Sequence, residues 1–305
     1  QIDLVGEARD LFRRNDLEFD LRARSDTLND LMVALGQSPL IDGTANMTAH
    51  LFGRLGGDLG LKDVGIELRT TAGIANAEGV VRGLGTTARS GNLGVELQLS
   101  FEILAEDLKA FVAVVDHQMP VDGTGTAEGL LIRSGDRYRV EDLRLTASAP
   151  ELSLTATGTV DELGDEPRFK MHFEAQTEHL HDLLVAFDHQ MPVDGTGTAE
   201  GLLIRSGDRY RVEDLRLTAN APEFSLTATG TVDELGSLPE FSLQISGRSS
   251  DLARLSQDWS WNWPLPAGIE LAIAGSLKAI AGTVVTSDLS LTAFGQEVEG
   301  HFSGR

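Results

Sequence analysis

The stretch DHQMPVDGTGTAEGLLIRSGDRYRVEDLRLTASAPELSLTATGTVDELG at residues 116–164 returns at residues 188–236 with 47 of its 49 positions unchanged. The exceptions are Ser148 against Asn220 and Leu152 against Phe224. A near-copy displaced by 72 residues makes the repeat the unit to read, ahead of any local secondary structure. The same displacement carries Pro120 to Pro192 and Pro264, and one of 80 carries Asp42-Gly43 to Asp122-Gly123, so four diverged copies become visible. The boundaries expected from this are 1–38, 39–118, 119–190, 191–262 and 263–305, the first and last partial, all in one continuous elongated domain.

Within the second copy, turns at Ser134-Gly135-Asp136 and Ser148-Ala149-Pro150 separate strands near 123–133, 137–147 and 151–160. Leu143 and Leu145 alternate with Arg144 and Thr146, and Leu152 and Leu154 with Ser153 and Thr155. A further strand alternates in each copy: Leu17, Phe19, Leu21; Leu97, Leu99, Phe101; Phe169, Met171, Phe173; Phe241, Leu243, Ile245. Period two gives each strand one apolar and one wet face.

After that strand comes a stripe at i, i+3, i+4, i+7: Leu28, Leu31, Met32, Leu35; Leu108, Phe111, Val112, Val115; Leu180, Leu183, Leu184, Phe187; and Leu252, Leu255, Ser256, Trp259. This spacing is one face of a short α-helix, and Ser25, Thr177 and Ser249 stand where an N-cap is expected. The fold class expected is mostly β, a tandem-repeat protein. Its long twisted antiparallel sheet curls into a groove, with one short amphipathic helix per repeat. Four strands are about 19 Å wide and a helix about 10 Å across, so one helix per repeat cannot cover the apolar face. Either the sheet curls over itself or something apolar from outside lies in it.

Composition narrows the partners. The 25 basic and 47 acidic side chains leave a net charge of −22, which argues against nucleic acid, because affinity for phosphate backbones comes from Lys and Arg. There is no cysteine, hence no disulfide and no thiolate metal site. No run approaches the roughly 18 apolar residues of a membrane span, and the N-terminus does not read as a signal peptide. The chain starts at Gln1 and stops at Arg305 just after strand-like text, and it reads as a piece of something longer.

The run Asp-Leu-Arg-Leu-Thr-Ala at 142–147, then Leu-Ser-Leu-Thr-Ala-Thr-Gly-Thr-Val at 152–160, a further strand, and a capped helix leading to Pro-x-Asp-Gly resembles the AsmA-like and TamB-like envelope proteins of Gram-negative bacteria. The resemblance covers essentially the whole chain. It places the chain among the repeating β-groove lipid-transfer proteins. It implies a periplasmic body tethered to the inner membrane by a helix not in this chain, and a groove that carries phospholipid acyl chains toward the outer membrane or assists its assembly. The partners it implies are phospholipid acyl chains, the inner and outer membranes through parts outside this segment, and other envelope proteins. The repeats depart from the wider class in having four strands plus a helix rather than five strands and a loop. A sixteen-carbon chain in water costs about 12 kcal/mol at about 0.8 per methylene, so an extracted lipid needs a continuous apolar path.

The residues expected to line such a groove are Leu130, Ile132, Leu143, Leu145, Leu152 and Leu154, with Leu202, Ile204, Leu215, Leu217, Phe224 and Leu226 at the equivalent positions 72 residues on. Trp259, Trp261 and Trp263 replace Phe187, His189 and Met191 in the connection after the helix. They read as a core plug or as interface aromatics toward a membrane or partner.

The chain carries no Gly-x-Ser-x-Gly elbow, no His-Glu-x-x-His and no phosphate loop, and it is expected not to be an enzyme and to need no cofactor or metal. Gly123-x-Gly125-x-x-x-Gly129 has the wrong spacing for a dinucleotide site. His179 and His181, two apart on a helix, diverge, and the Asp-His-Gln-Met-Pro runs at 116–120 and 188–192 read as solvated. The Asp-Gly turns lack the alternating Asp residues of a calcium loop. The carboxylate pairs Glu141-Asp142, Asp161-Glu162, Glu213-Asp214 and Asp233-Glu234 recur in like environments, whereas acid–base catalysis needs unlike ones. The function expected is a lipid-binding groove segment of a periplasm-spanning protein that moves phospholipid between the two membranes. The alternatives are a structural scaffold for outer-membrane proteins, without lipid transport, and an extracellular adhesin or stalk array.

Overall fold

The computed structural model describes residues 2–9, 16–29, 42–54, 58–84, 95–113, 122–163, 167–186, 195–234, 240–251, 253–254, 268–280, 283–293 and 295–302. The chain is mostly β, and every pairing with a defined register is antiparallel. It divides into two compact units, Gln1–Ala147 with Thr157–Pro167, and Ser148–Ala156 with Arg168–Arg305.

The first unit contains β1 (Ile2–Arg9), β2 (Asp16–Ser25), β3 (Gly43–Arg54), β4 (Leu59–Thr70), β5 (Gly73–Arg82), β6 (Glu96–Ala105), helix α1 (Leu108–Ala113), β7 (Thr124–Ser134) and β8 (Arg137–Ser148). Strand β9 (Ser153–Glu162) contributes its second part here and its first part to the other unit. The second unit contains β10 (Arg168–Thr177), α2 (Leu180–Ala186), β11 (Thr196–Ser206), β12 (Arg209–Asn220), β13 (Phe224–Glu234), β14 (Glu240–Ser249), β15 (Leu271–Ile280), β16 (Thr283–Ala293) and β17 (Gln296–Phe302). The registers run between chain neighbours, from β1·β2 through β6·β7 and from β10·β11 through β16·β17. Among the described residues neither unit joins its last strand to its first, so neither closes into a barrel.

The sequence repeat is reproduced as register. Phe101 stands opposite Gly129 on β6·β7 and Phe173 opposite Gly201 on β10·β11. Leu21 stands opposite Ala49 on β2·β3, the same pairing 80 residues earlier. The second copy's strands, read at 123–133, 137–147 and 151–160, are β7, β8 and β9 within a few residues.

One feature of the strands escapes simple alternation. Asp63, Asp142 and Asp214 all have φ of 51°, and in β4 and β12 the ladder slips at that point. The extra residue is a β-bulge with an aspartate in the left-handed region, which Asp tolerates better than most side chains. It shifts the phase of the apolar pattern: Val140 and Leu143, three apart, are both buried, as are Val212 and Leu215.

Two complete short helices are described, not one in each copy. Leu28 and Asn29, and Ala253 and Arg254, are helical in the other two copies, and the rest of those stripes lies outside the described residues. The caps also differ from expectation. Asp107 Oδ1 accepts the Ala110 N–H at 2.9 Å, and Asp251 Oδ1 accepts the Ala253 N–H at 3.1 Å. Thus in the fourth copy Asp251 caps, and the buried Ser249 hydroxyl has no partner. Ser25 donates to the Thr27 carbonyl instead of accepting from an amide, and only Thr177 accepts one, from His179 at 3.1 Å. A side chain two residues nearer the helix reaches the free amides better.

The core is thin. Of the 19 buried apolar side chains among the described residues, 8 are alanine, so few large side chains are fully covered. In the first unit Ala49, Val64, Val81 and Leu99 form its centre, with Leu21, Leu61, Ile66 and Leu131 against them.

Candidate functional site

The apolar face of the second unit is built on glycines. A Cβ at Gly201 would stand 3.0 Å from Val212 Cγ1 and 3.3 Å from Phe173 Cε1, so the Phe173 ring lies over the bare backbone of its cross-strand partner. Near the turn end of this face, Arg205 sits 4.9 Å over the Tyr210 ring, and Phe169 meets Tyr210 edge-on at 6.3 Å. Near the other end, Gly197 would place a Cβ 3.2 Å from Leu180 Cδ1, so the first residue of α2 rests on the strand. The Leu180 N–H donates to the Gly195 carbonyl at 2.8 Å, which pins the helix start. The first unit repeats this with Leu108 bonded to Gly123 at 2.8 Å and seated on Gly125. Gly125 and Gly197 are therefore seats for a helix, and Gly129 and Gly201 for an aromatic ring.

Between α2 and the strands an open concavity of about 320 Å³ remains. Leu180 and Leu183 form its helix wall, Ala175, Ala199, Ala219 and Ala228 its floor, and Leu152, Leu217 and Leu226 its sides. Small floor residues and large walls make the hollow; a helix about 10 Å across leaves the outer part of β12 and β13 uncovered. Leu217 is 36 % exposed and Leu226 40 % exposed, although both point toward the apolar face. The remaining lining is Gln176, Thr177, Thr198, Thr218 and Gly197, with no ionisable side chain. The volume is at the lower end of ligand cavities, roughly 300–1,000 Å³.

The expected groove residues fall on both faces. Leu215, Leu217, Phe224 and Leu226 share one face, because Leu215 pairs with Gly230 and Leu217 with Ala228. Leu143 is buried and Leu145 half-buried on the corresponding face of β8, while Leu152, just before β9, and Leu154 on β9 are half-buried. Leu130, Ile132, Leu202 and Ile204 point the other way: Leu131 pairs with buried Leu99 and Leu203 with buried Val212, so their neighbours in the chain face the polar side. Leu130 there lines a polar hollow with Glu78, Glu102, Glu128 and Arg144. Trp259, Trp261 and Trp263 lie outside the described residues, as do the runs at 116–120 and 188–192.

The polar face is a surface of exposed pairs. Arg144 reaches Glu128 at 3.4 Å and Arg216 reaches Glu200 at 4.0 Å, while Thr126 bonds Thr146 and Thr198 bonds Thr218 at 2.6 Å. The carboxylate pairs take ordinary surface roles: Glu141 with Arg139 at 3.0 Å, Glu213 with Arg211 at 3.3 Å, and Asp233 with Arg211 at 3.1 Å. Asp42 and Asp122 of the Asp-Gly turns tie back to the helix start, Asp42 accepting from Asn29 at 2.6 Å and Asp122 lying 3.6 Å from Lys109. His50 bridges Asp20 at 2.9 Å and Glu18 at 3.1 Å, and the Asp20 bond holds its pKa above the usual 6.5. No set of three His, Asp or Glu side chains among the described residues is placed to hold a metal ion, and no described helix is long and apolar enough to cross a membrane.

No protein-family model, no curated protein and no solved structure matches the chain.

Of the residues that build the concavity, the helix residues Leu180 and Leu183 and the alanine floor were not among those expected. Their signal lay in the repeated alternation of Ala with Thr, which leaves room under a helix that Leu or Val would fill.

Proposed function

We propose that the chain is a lipid-binding groove segment, whose apolar concavity takes the acyl portion of a phospholipid. The observation that carries this reading is the pair Leu217 and Leu226, held more than a third exposed in a hollow without charge. Fully burying a leucine is worth about 1.5–3 kcal/mol, so a hollow of this kind favours an aliphatic occupant over water. Its strand-and-helix unit recurs along the chain, which suits an occupant that is itself a repeating polymethylene. The resemblance to AsmA-like and TamB-like proteins extends the reading. On it, the chain is part of a tandem-repeat sheet curled into a groove, sits in the periplasm tethered to the inner membrane, and moves phospholipid between the inner and outer membranes. Such a conduit uses no catalytic residues, and the site offers none with unlike carboxylate environments.

The test is organic extraction of the purified chain followed by mass spectrometry. Co-purifying phospholipid at a reproducible stoichiometry, depleted by Leu217→Glu, is the expected result. A chain free of lipid that also fails to take up phospholipid from vesicles sinks the proposal.

A further inference from the structure

The duplicated copies supply a natural substitution at the concavity. Of their 49 aligned positions only two differ, and one of them, Leu152 against Phe224, is a wall residue of the hollow in the second unit. Leu152 is set by a tight turn: the Ala149 N–H donates to the Leu152 carbonyl at 2.8 Å and the Leu152 N–H donates to the Ala149 carbonyl at 3.3 Å. The next copy makes the same turn, with the Ala221 N–H donating to the Phe224 carbonyl at 2.8 Å. The two copies thus share one bond of this turn, around a leucine in one and a phenylalanine in the other. Leu152 lines the hollow, and Phe224 is not among its lining residues.

We infer that Leu152 sets the length of aliphatic chain the concavity accepts, a specificity-determining role that rests on the lipid-binding reading above. The lining has no ionisable group, so selection among occupants falls to shape and to the number of methylenes covered. Phenylalanine at this position extends further into the hollow than leucine and displaces about one or two methylenes of an occupant. Each methylene contributes roughly fourfold in affinity at about 0.8 kcal/mol.

The experiment compares fluorescent or isotopically labelled saturated fatty acids of graded length on the full chain, in three forms: unaltered, Leu152→Phe, and Arg144→Lys. Leu152→Phe is expected to shorten the best-bound chain by one or two carbons and to weaken the longer ones about four- to fifteenfold. Arg144→Lys, on the polar face, is expected to leave the length profile unchanged. An identical length profile for the unaltered chain and Leu152→Phe, both folded by circular dichroism, overturns the inference while leaving the lipid-binding reading intact. No binding by the unaltered chain at any length overturns both.

Discussion

At Gly201 a side chain would be crowded by Phe173 and Val212, and at Gly197 by Thr177 and Leu180, each within 3.0–3.3 Å of an added Cβ. Gly201→Val should therefore lower stability by about 1–3 kcal/mol through overpacking, read as a lower midpoint of denaturant unfolding with an unchanged slope. The bulge aspartates are constrained by backbone and not by space. Asp214 at φ of 51° should tolerate Gly with little change, whereas Asp214→Val should cost about 1–2 kcal/mol, because a branched side chain clashes in the left-handed region. Equal stability of the two variants would contradict this. The bulge was legible in retrospect: Tyr138 and Val140 are even-numbered while Leu143, Leu145 and Ala147 are odd, and only an inserted residue puts them on one face. The faces of Leu130 and Ile132 were not legible, because the run Leu130-Leu131-Ile132 has no alternation to read. Gly125 and Gly129, in phase with Leu131, were the available sign, and only the pairing of Phe101 with Gly129 fixes it.

The elements show why strands were read well and helix ends less well. Strand limits follow from turns whose residues are local, such as Gly135 at φ of 63°, whereas a cap depends on which of several oxygens reaches an amide. Asp251 won that contest over Ser249, two residues earlier, and Asp107 holds the same place where the chain has Ala105 instead of a serine. In the fourth copy the helix start is also tied to the preceding turn, where Arg254 meets the buried Glu223 carboxylate at 2.8 Å. Arg254→Met should leave that carboxylate without its charged partner and lower stability by about 1–3 kcal/mol, with Glu223→Gln restoring part of the loss in the double variant. Between β2 and β3, His50 gains from its Asp20 and Glu18 bonds more than it loses to desolvation and to Lys62. Its folded pKa lies above the unfolded one, so this contribution is complete below about pH 6.5 and fades as pH rises through the folded value. Titration of the His50 ring by NMR should give a midpoint above the free value, moved down by Asp20→Asn; no movement would remove the bond as its cause.

Within each unit the described strands carry one wet and one apolar face, and among the described residues neither unit closes into a barrel. The net charge of −22 spreads over the wet side chains, while the hollow beneath α2 has none. On the proposed lipid-binding reading the apolar face is reachable by lipid, whereas in a closed scaffold or stalk its side chains would be sealed from it. The most direct measurement places a photo-crosslinking benzophenone at Leu217, on the apolar face, and at Leu202, on the polar face, and irradiates each chain with vesicles carrying radiolabelled phospholipid. The account predicts a lipid adduct from Leu217 and none above background from Leu202. Equal labelling at the two positions, or none at Leu217 in a folded chain, would contradict it.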